Sequence, residues 1–182
     1  MKHKHLIITA GLAFASALIL QAQEMPEPTA EHQWLQQFVG KWESDIEIYM
    51  DPDSPPMRAQ VTETYRSLGG FWVVGDIVSR TPEMPFSGLY TIGYDPEKEV
   101  YVGTWIESMT SNLTTYEGTV DSDGTILVME TEAPCPMRQG RVMPFRETTE
   151  FINENHRVST TEIFEDGEWI PNVKIESRRI LD

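Results

Sequence analysis

Three glutamates stand where strand alternation calls for apolar side chains. Val61, Glu63 and Tyr65 share one face of MRAQVTETYRSL. Met143, Phe145, Glu147 and Phe151 share one face of RVMPFRETTEFI, and Val158, Glu162 and Phe164 share one face of HRVSTTEIFE. A carboxyl on an inward face has two chemical uses. It orients a ligand in an otherwise apolar cavity, or it does acid–base work once burial has raised its pKa. Either use requires hydrogen-bond donors nearby. Arg66, Arg146 and Arg178 fall on the opposite faces of their segments, which leaves Tyr65, Tyr116 and Arg179 as candidate partners. The alternative is structural: a bulge or a place at the wet rim takes an acid out of the interior.

The walls of such a cavity would come from Trp105 and Met109, with Tyr101, Trp72 and Phe71 as further candidates; plain core packing explains each of them equally well. Other chemistry is sparse. Beyond the first 22 residues the histidines are His32 and His156, too few for a three-histidine metal site. There is no H-E-x-x-H, G-x-S-x-G or phosphate-loop pattern. Asp121 and Asp123 in DSDG, like Asp51 and Asp53 in DPDSPP, suggest pieces of a calcium loop. The remaining ligands are missing and the spacing suits a turn. Cys135 is the only cysteine, so no internal disulfide forms. Its setting between prolines predicts a loop, and no base can be assigned to it. Asn112-Leu-Thr114 is a glycosylation sequon, relevant only in a eukaryotic secretory pathway. No cofactor is expected.

The elements that must position these residues follow from periodicity. In TAEHQWLQQFVG, the residues Trp34, Leu35, Phe38 and Val39 form one apolar helical face, with Thr29 as N-cap and Gly40 at C′. A helix of about ten residues needs something to pack on. From Trp42 the period becomes two: Trp42, Ser44, Ile46, Ile48 and Met50 alternate with Glu43, Asp45, Glu47 and Tyr49. Nine further alternating runs follow, at roughly 57–68, 70–80, 86–94, 99–108, 111–120, 125–132, 141–152, 156–165 and 168–181. Turn signals such as GG, DSDG, NEN and EDGE separate them. Ten short strands in hairpin order predict an all-β, up-and-down antiparallel β-barrel with a short N-terminal helix as its lid.

The chain begins MKHKHLIITAGLAFASALILQAQ, basic and then apolar from Leu6 to Leu20. That run is short for a membrane span and suits a signal peptide, residues 1–22, cut after Ala22. Residues 23–182 would then be a single exported domain, periplasmic or secreted. No cysteine is placed for a lipid anchor, so no stable membrane anchor is expected. Loss of Lys2 and Lys4, with no acid in the removed piece, takes the formal charge from -15 to -17. Such a field repels nucleic acid and anionic membranes, which argues against both as partners.

Gly40-x-Trp42 on the first strand and Arg179 on the last supply a structural signature. Trp42 is expected to fill the barrel base. Arg179 shares the parity of Trp169, Val173, Ile175 and Leu181, the drier face of the last strand, and is expected to lie over the Trp42 indole as a cation–π partner. This pattern resembles the signature of the lipocalin-like (calycin) superfamily. The helix before G-x-W and the ten strands look more like nitrobindins and fatty-acid-binding proteins. HQWLQQFVGKWE, GGFWVVGD, GYDPEKEVYVGTWIESM, DSDGT and FEDGEW together resemble the bacterial domain-of-unknown-function 1579 family across nearly the whole mature chain. That resemblance implies a lipocalin-like barrel and no established activity. Nitrobindin-like barrels hold haem through a histidine near the C-terminal end. No residue from 157 to 182 is a histidine, so haem binding is not carried over.

The leading functional expectation is a carrier that holds a small hydrophobic or amphipathic ligand in the barrel. Glu63, Tyr65, Trp105, Met109, Glu147 and Glu162 would form the site. The alternative is an enzyme using lumen carboxylates for acid–base chemistry. A third reading is an interaction protein working through its outer surface as a homodimer, suggested by Tyr49 on a wet face and an exposed loop at Cys135.

Overall fold

The computed structural model describes residues 26–50 and 54–181. The ten alternating segments are the strands β1 (Gly40–Ile48), β2 (Met57–Leu68), β3 (Trp72–Ser79), β4 (Ser87–Asp95) and β5 (Val100–Glu107), followed by β6 (Thr114–Val120), β7 (Ile126–Cys135), β8 (Arg141–Asn153), β9 (His156–Glu165) and β10 (Glu168–Arg179). Each pairs antiparallel with its neighbours in the chain, and β10 pairs with β1, so the sheet closes as a barrel with no free edge. The expected signal peptide and the expected turn residues Asp51 and Asp53 lie outside the described residues.

Because strands run alternately up and down, the odd and even connections collect at opposite ends. At one end the helix α1 (Ala30–Trp34) and a 3₁₀ turn (Leu35–Phe38) lie across the opening. Thr29 caps this helix as expected: its backbone N–H donates to His32 Nδ1 at 3.0 Å. Leu35 and Phe38 bury their side chains in the barrel, and Phe38 meets Phe151 edge to face at 5.0 Å. Trp34 Nε1 donates to the Gly124 carbonyl of the β6–β7 turn at 2.7 Å, tying the lid to the sheet. At the other end lie the longer loops and one 3₁₀ turn, Pro136–Arg138. These are the helix end and the loop end below.

Two local expectations are corrected and one holds: Gly40 follows the C-cap residue Val39 in the C′ position and opens β1 at φ 132°. Glycine is needed there because a Cβ would strike the Arg179 guanidinium. Cys135 is not in an exposed loop. It ends β7, wholly buried beside Met143 and Ile163. On β10, Trp169 does not share a face with Val173 and Ile175, because a bulge between Pro171 and Val173 absorbs one residue and reverses the alternation. The DSDG segment is a hairpin turn, held by Asp121 Oδ1 accepting from the backbone N–H groups of Thr125 and Ile126.

Candidate functional site

At the helix end the interior is packed around a buried ion pair, whose carboxylate is saturated while Arg157 Nε has no hydrogen-bond partner among the described residues. Trp42 is completely buried and donates its Nε1–H to the Phe38 carbonyl at 2.8 Å. Arg179 lies opposite it across the β1–β10 ladder and stacks on its outer side, 4.1 Å from the ring, as expected. On the inner side Arg157, from β9, lies about 5 Å from the rings of Trp42, Phe38 and Tyr65. Its Nη2 meets Glu63 Oε2 at 2.5 Å. Tyr65 donates to the same oxygen at 2.7 Å, while the hydroxyls of Ser44 and Ser177 serve Oε1. Burial pushes the Glu63 carboxyl upward, but Arg157 and these hydrogen bonds outweigh it and hold the group below the usual carboxylate range. Glu63 is therefore an inward carboxylate as expected, saturated by protein donors. Arg157 was not anticipated as its partner.

Toward the loop end the interior changes character. Glu147 on β8 pairs with Met129 on β7 and Thr161 on β9, positions on the inward face. It makes no hydrogen bond or ion pair with any described residue. Its side chain keeps some accessible surface yet sits deep in the protein, so that surface faces the lumen and not bulk solvent. Burial raises its pKa to about 7; Arg157 acts against this rise and the Glu63 charge adds to it. Facing it is Tyr90 on β4, 8% exposed, whose hydroxyl has no partner. Burial raises the Tyr90 phenol well above its ordinary value, and the Glu147 charge adds to the rise. Tyr116 on β6 meets Tyr90 edge to face at 6.2 Å; burial and then Glu147 raise its pKa too.

Trp105 on β5 pairs with Tyr90. Its indole lies across Gly88, where any Cβ would enter the ring. Two residues further toward the rim, Glu107 faces inward in register with Gly88, and burial raises its pKa. An unpaired acid thus stands near the two phenols Tyr90 and Tyr116, with Trp105 and a second acid toward the mouth. Such a group of unmet polar atoms is the expected feature of a ligand site and is uncommon in a filled core.

The sequence-derived candidates separate accordingly. Tyr65 and Glu63 belong to the helix-end network, and Trp105 and Glu147 to the loop-end lumen. Glu162 is corrected: it faces outward, bound by Arg146 Nη2 at 2.7 Å, while Arg146 stacks on Trp169 at 4.4 Å. The reason is that β9 turns Arg157, Ser159 and Ile163 inward. Its apolar-looking face, Val158 and Phe164, lies outside. Met109 is corrected too: it is 58% exposed in the β5–β6 loop. Trp72 lies on the outer wall over Gly93. Tyr101 is buried at the helix end, where Phe71 packs on His32. His156 faces outward, its Nε2 3.2 Å from a Glu176 oxygen. Among the described residues no three His, Cys, Asp or Glu side chains converge as a metal site. Sequence reasoning missed Tyr90, Arg157 and Glu107; Tyr116 had appeared only as a donor.

Two recesses lie outside this cluster. One of about 460 Å³ adjoins the β10 bulge, bounded by Met50, Met137, Ile163, Ile170 and Val173. The other, about 500 Å³, is an outer-wall groove along Asp45, Arg58, Gln60 and Lys174.

The structure is similar to that of Rv2717c from M. tuberculosis, with a TM-score of 0.57 and 9% sequence identity, over 85% of this chain and all of that one. At this identity the likeness concerns the fold alone. Among proteins with curated descriptions none matches this chain. Over residues 27–179, which hold the helix, all ten strands and the Glu147 cluster, the sequence matches the DUF1579 family, described as a protein of unknown function, and the chain belongs to that family.

Proposed function

We propose that the barrel is a carrier of a small amphipathic molecule, held in the loop-end half of the lumen with its polar group at Glu147 and Tyr90. The observation that carries this reading is the pair itself: a buried phenol and a deep carboxyl on facing positions, neither with a protein partner. Leaving such groups unmet costs roughly 1–3 kcal/mol each, which a ligand's own donors and acceptors recover on binding. Trp105, Tyr116 and Phe86, half-buried beside the core, supply the apolar wall. The carrier is read as exported, on the strength of the basic-then-apolar start of the chain. Kinship with lipocalin-like barrels is supported by the Trp42–Arg179 stack.

The enzyme alternative meets one of its two requirements, since Glu147 is the raised acid. The second, another free acid within reach of the same atom, is not supplied by Glu63, which Arg157 occupies, or by Glu162, which is outside.

Native mass spectrometry of the mature protein from its own host tests the carrier reading. A mass excess that disappears on denaturation is expected. A bare mass, unchanged after incubation with host lipid and metabolite extracts, overturns it. N-terminal sequencing of the same sample should begin at Gln23; a chain starting at Met1 overturns export.

A further inference from the structure

Resting on the carrier reading, we infer that the guest is an organic ammonium compound, its cationic nitrogen seated between the Glu147 carboxylate and the phenol rings of Tyr90 and Tyr116. Aromatic rings beside an unpaired acid attract an alkylated nitrogen: each ring face is negative and the carboxylate completes the site. Of the charges around Glu147, Arg157 opposes a cation and Glu63 favours one; Arg157 is itself paired with Glu63 at 2.5 Å. Glu107 adds a second negative group at the mouth. The rim cations Arg138 and Arg141 are engaged by Glu165 at 2.8 and 2.7 Å. The phenols Tyr65, Tyr90 and Tyr116, all raised, stay neutral across the physiological range. An anionic guest would meet an unpaired carboxylate here. A neutral guest would leave that carboxyl to lose its charge by taking up a proton, as its raised pKa already favours.

Three probes of nearly equal shape separate the cases: benzyltrimethylammonium, its uncharged isostere neopentylbenzene, and the anion phenylacetate. Titrations by calorimetry at pH 8 and pH 5.5 use the mature barrel, Glu147→Gln and Thr161→Phe, the last filling the lumen opposite Glu147. The ammonium probe should bind at least tenfold tighter than its isostere at pH 8, and this advantage should shrink at pH 5.5 as Glu147 protonates. Glu147→Gln should cost the ammonium probe about tenfold and leave the isostere unchanged, while Thr161→Phe should weaken both. Equal or tighter binding of the isostere or of phenylacetate overturns the inference, as does an ammonium affinity indifferent to Glu147→Gln. If those losing patterns still respond to Thr161→Phe, lumen binding survives without the ammonium preference. If no probe binds at millimolar concentration the ammonium inference falls, and the carrier reading falls only if host extracts also leave the barrel bare.

Discussion

The helix-end half and the loop-end half of the barrel use the same strands and treat an enclosed carboxyl in opposite ways. Glu63 is 5% exposed, meets an arginine and three hydroxyls, and stays charged. Glu147, on β8, meets no described partner and is held at the edge of neutrality. Trp42, Phe38, Val73 and Ile92 fill the first half almost without exposure, whereas Trp105, Tyr116 and Phe86 keep accessible surface in the second. The two enclosed carboxyls thus differ in partners more than in burial, although Arg157 Nε lacks a described partner in the first half and Cys135, Met143 and Ile163 are tightly buried in the second. That contrast is what the proposed carrier rests on.

The largest effect should come from removing Arg157. Arg157→Met strands the Glu63 charge in the packed half and should destabilise the barrel by about 3–5 kcal/mol in urea unfolding at pH 7. Adding Glu63→Gln should recover most of that loss. If the single change costs under about 1 kcal/mol, the claim that this network carries the helix end is wrong. Next, matched truncations compare packing directly: Phe38→Ala should cost about 3–5 kcal/mol and Phe86→Ala less than about 2. Equal costs would erase the distinction between the halves.

Glu147→Gln should act in the opposite sense. The carboxyl holds its proton up to about 7 in the folded chain but only to 4.5 when unfolded. Between those values the folded state binds more protons, so stability falls as pH rises. The variant escapes that fall. It should match the parent at pH 4 and exceed it by up to about 3 kcal/mol at pH 8. A parent whose stability does not decline across this window would show that Glu147 titrates normally. The smallest effect belongs to Met109→Ala, within about 0.5 kcal/mol, because the side chain is 58% exposed. A larger change would place Met109 against something the free chain does not show.

Much of this architecture was legible in the sequence, because period two with turn residues between runs is a strong signal. The range 57–68 coincides with β2, and the Trp42–Arg179 stack followed from parity at the two ends. The site was only half legible. Glu63, Tyr65, Trp105 and Glu147 lie on strands whose inward faces are mostly apolar, so their parity could be read. On β9 the rule fails: the inward residues are Arg157, Ser159, Thr161 and Ile163, while Val158 and Phe164 look like the core face and lie outside. A strand lining a polar network reads inside out. The β10 bulge at Asn172 then hid the reversal of Trp169, since a single extra residue leaves no mark in the pattern. Cys135 misled for a related reason: Pro134 and Pro136 suggested a loop, but Pro134 sits within β7 and Pro136 begins the next turn.

The helical lid has a kinetic consequence. Trp34 is fastened to the β6–β7 turn and Phe38 is wedged against Phe151, so the barrel is a cup and not a tunnel. For the proposed carrier this means that a guest leaves by the doorway it came through, past Glu107 and the β3–β4 and β5–β6 loops, with no vectorial traffic from one rim to the other. Dwell time is then set at that single doorway, and shortening either loop should speed arrival and departure by the same factor while the equilibrium affinity stays where it was.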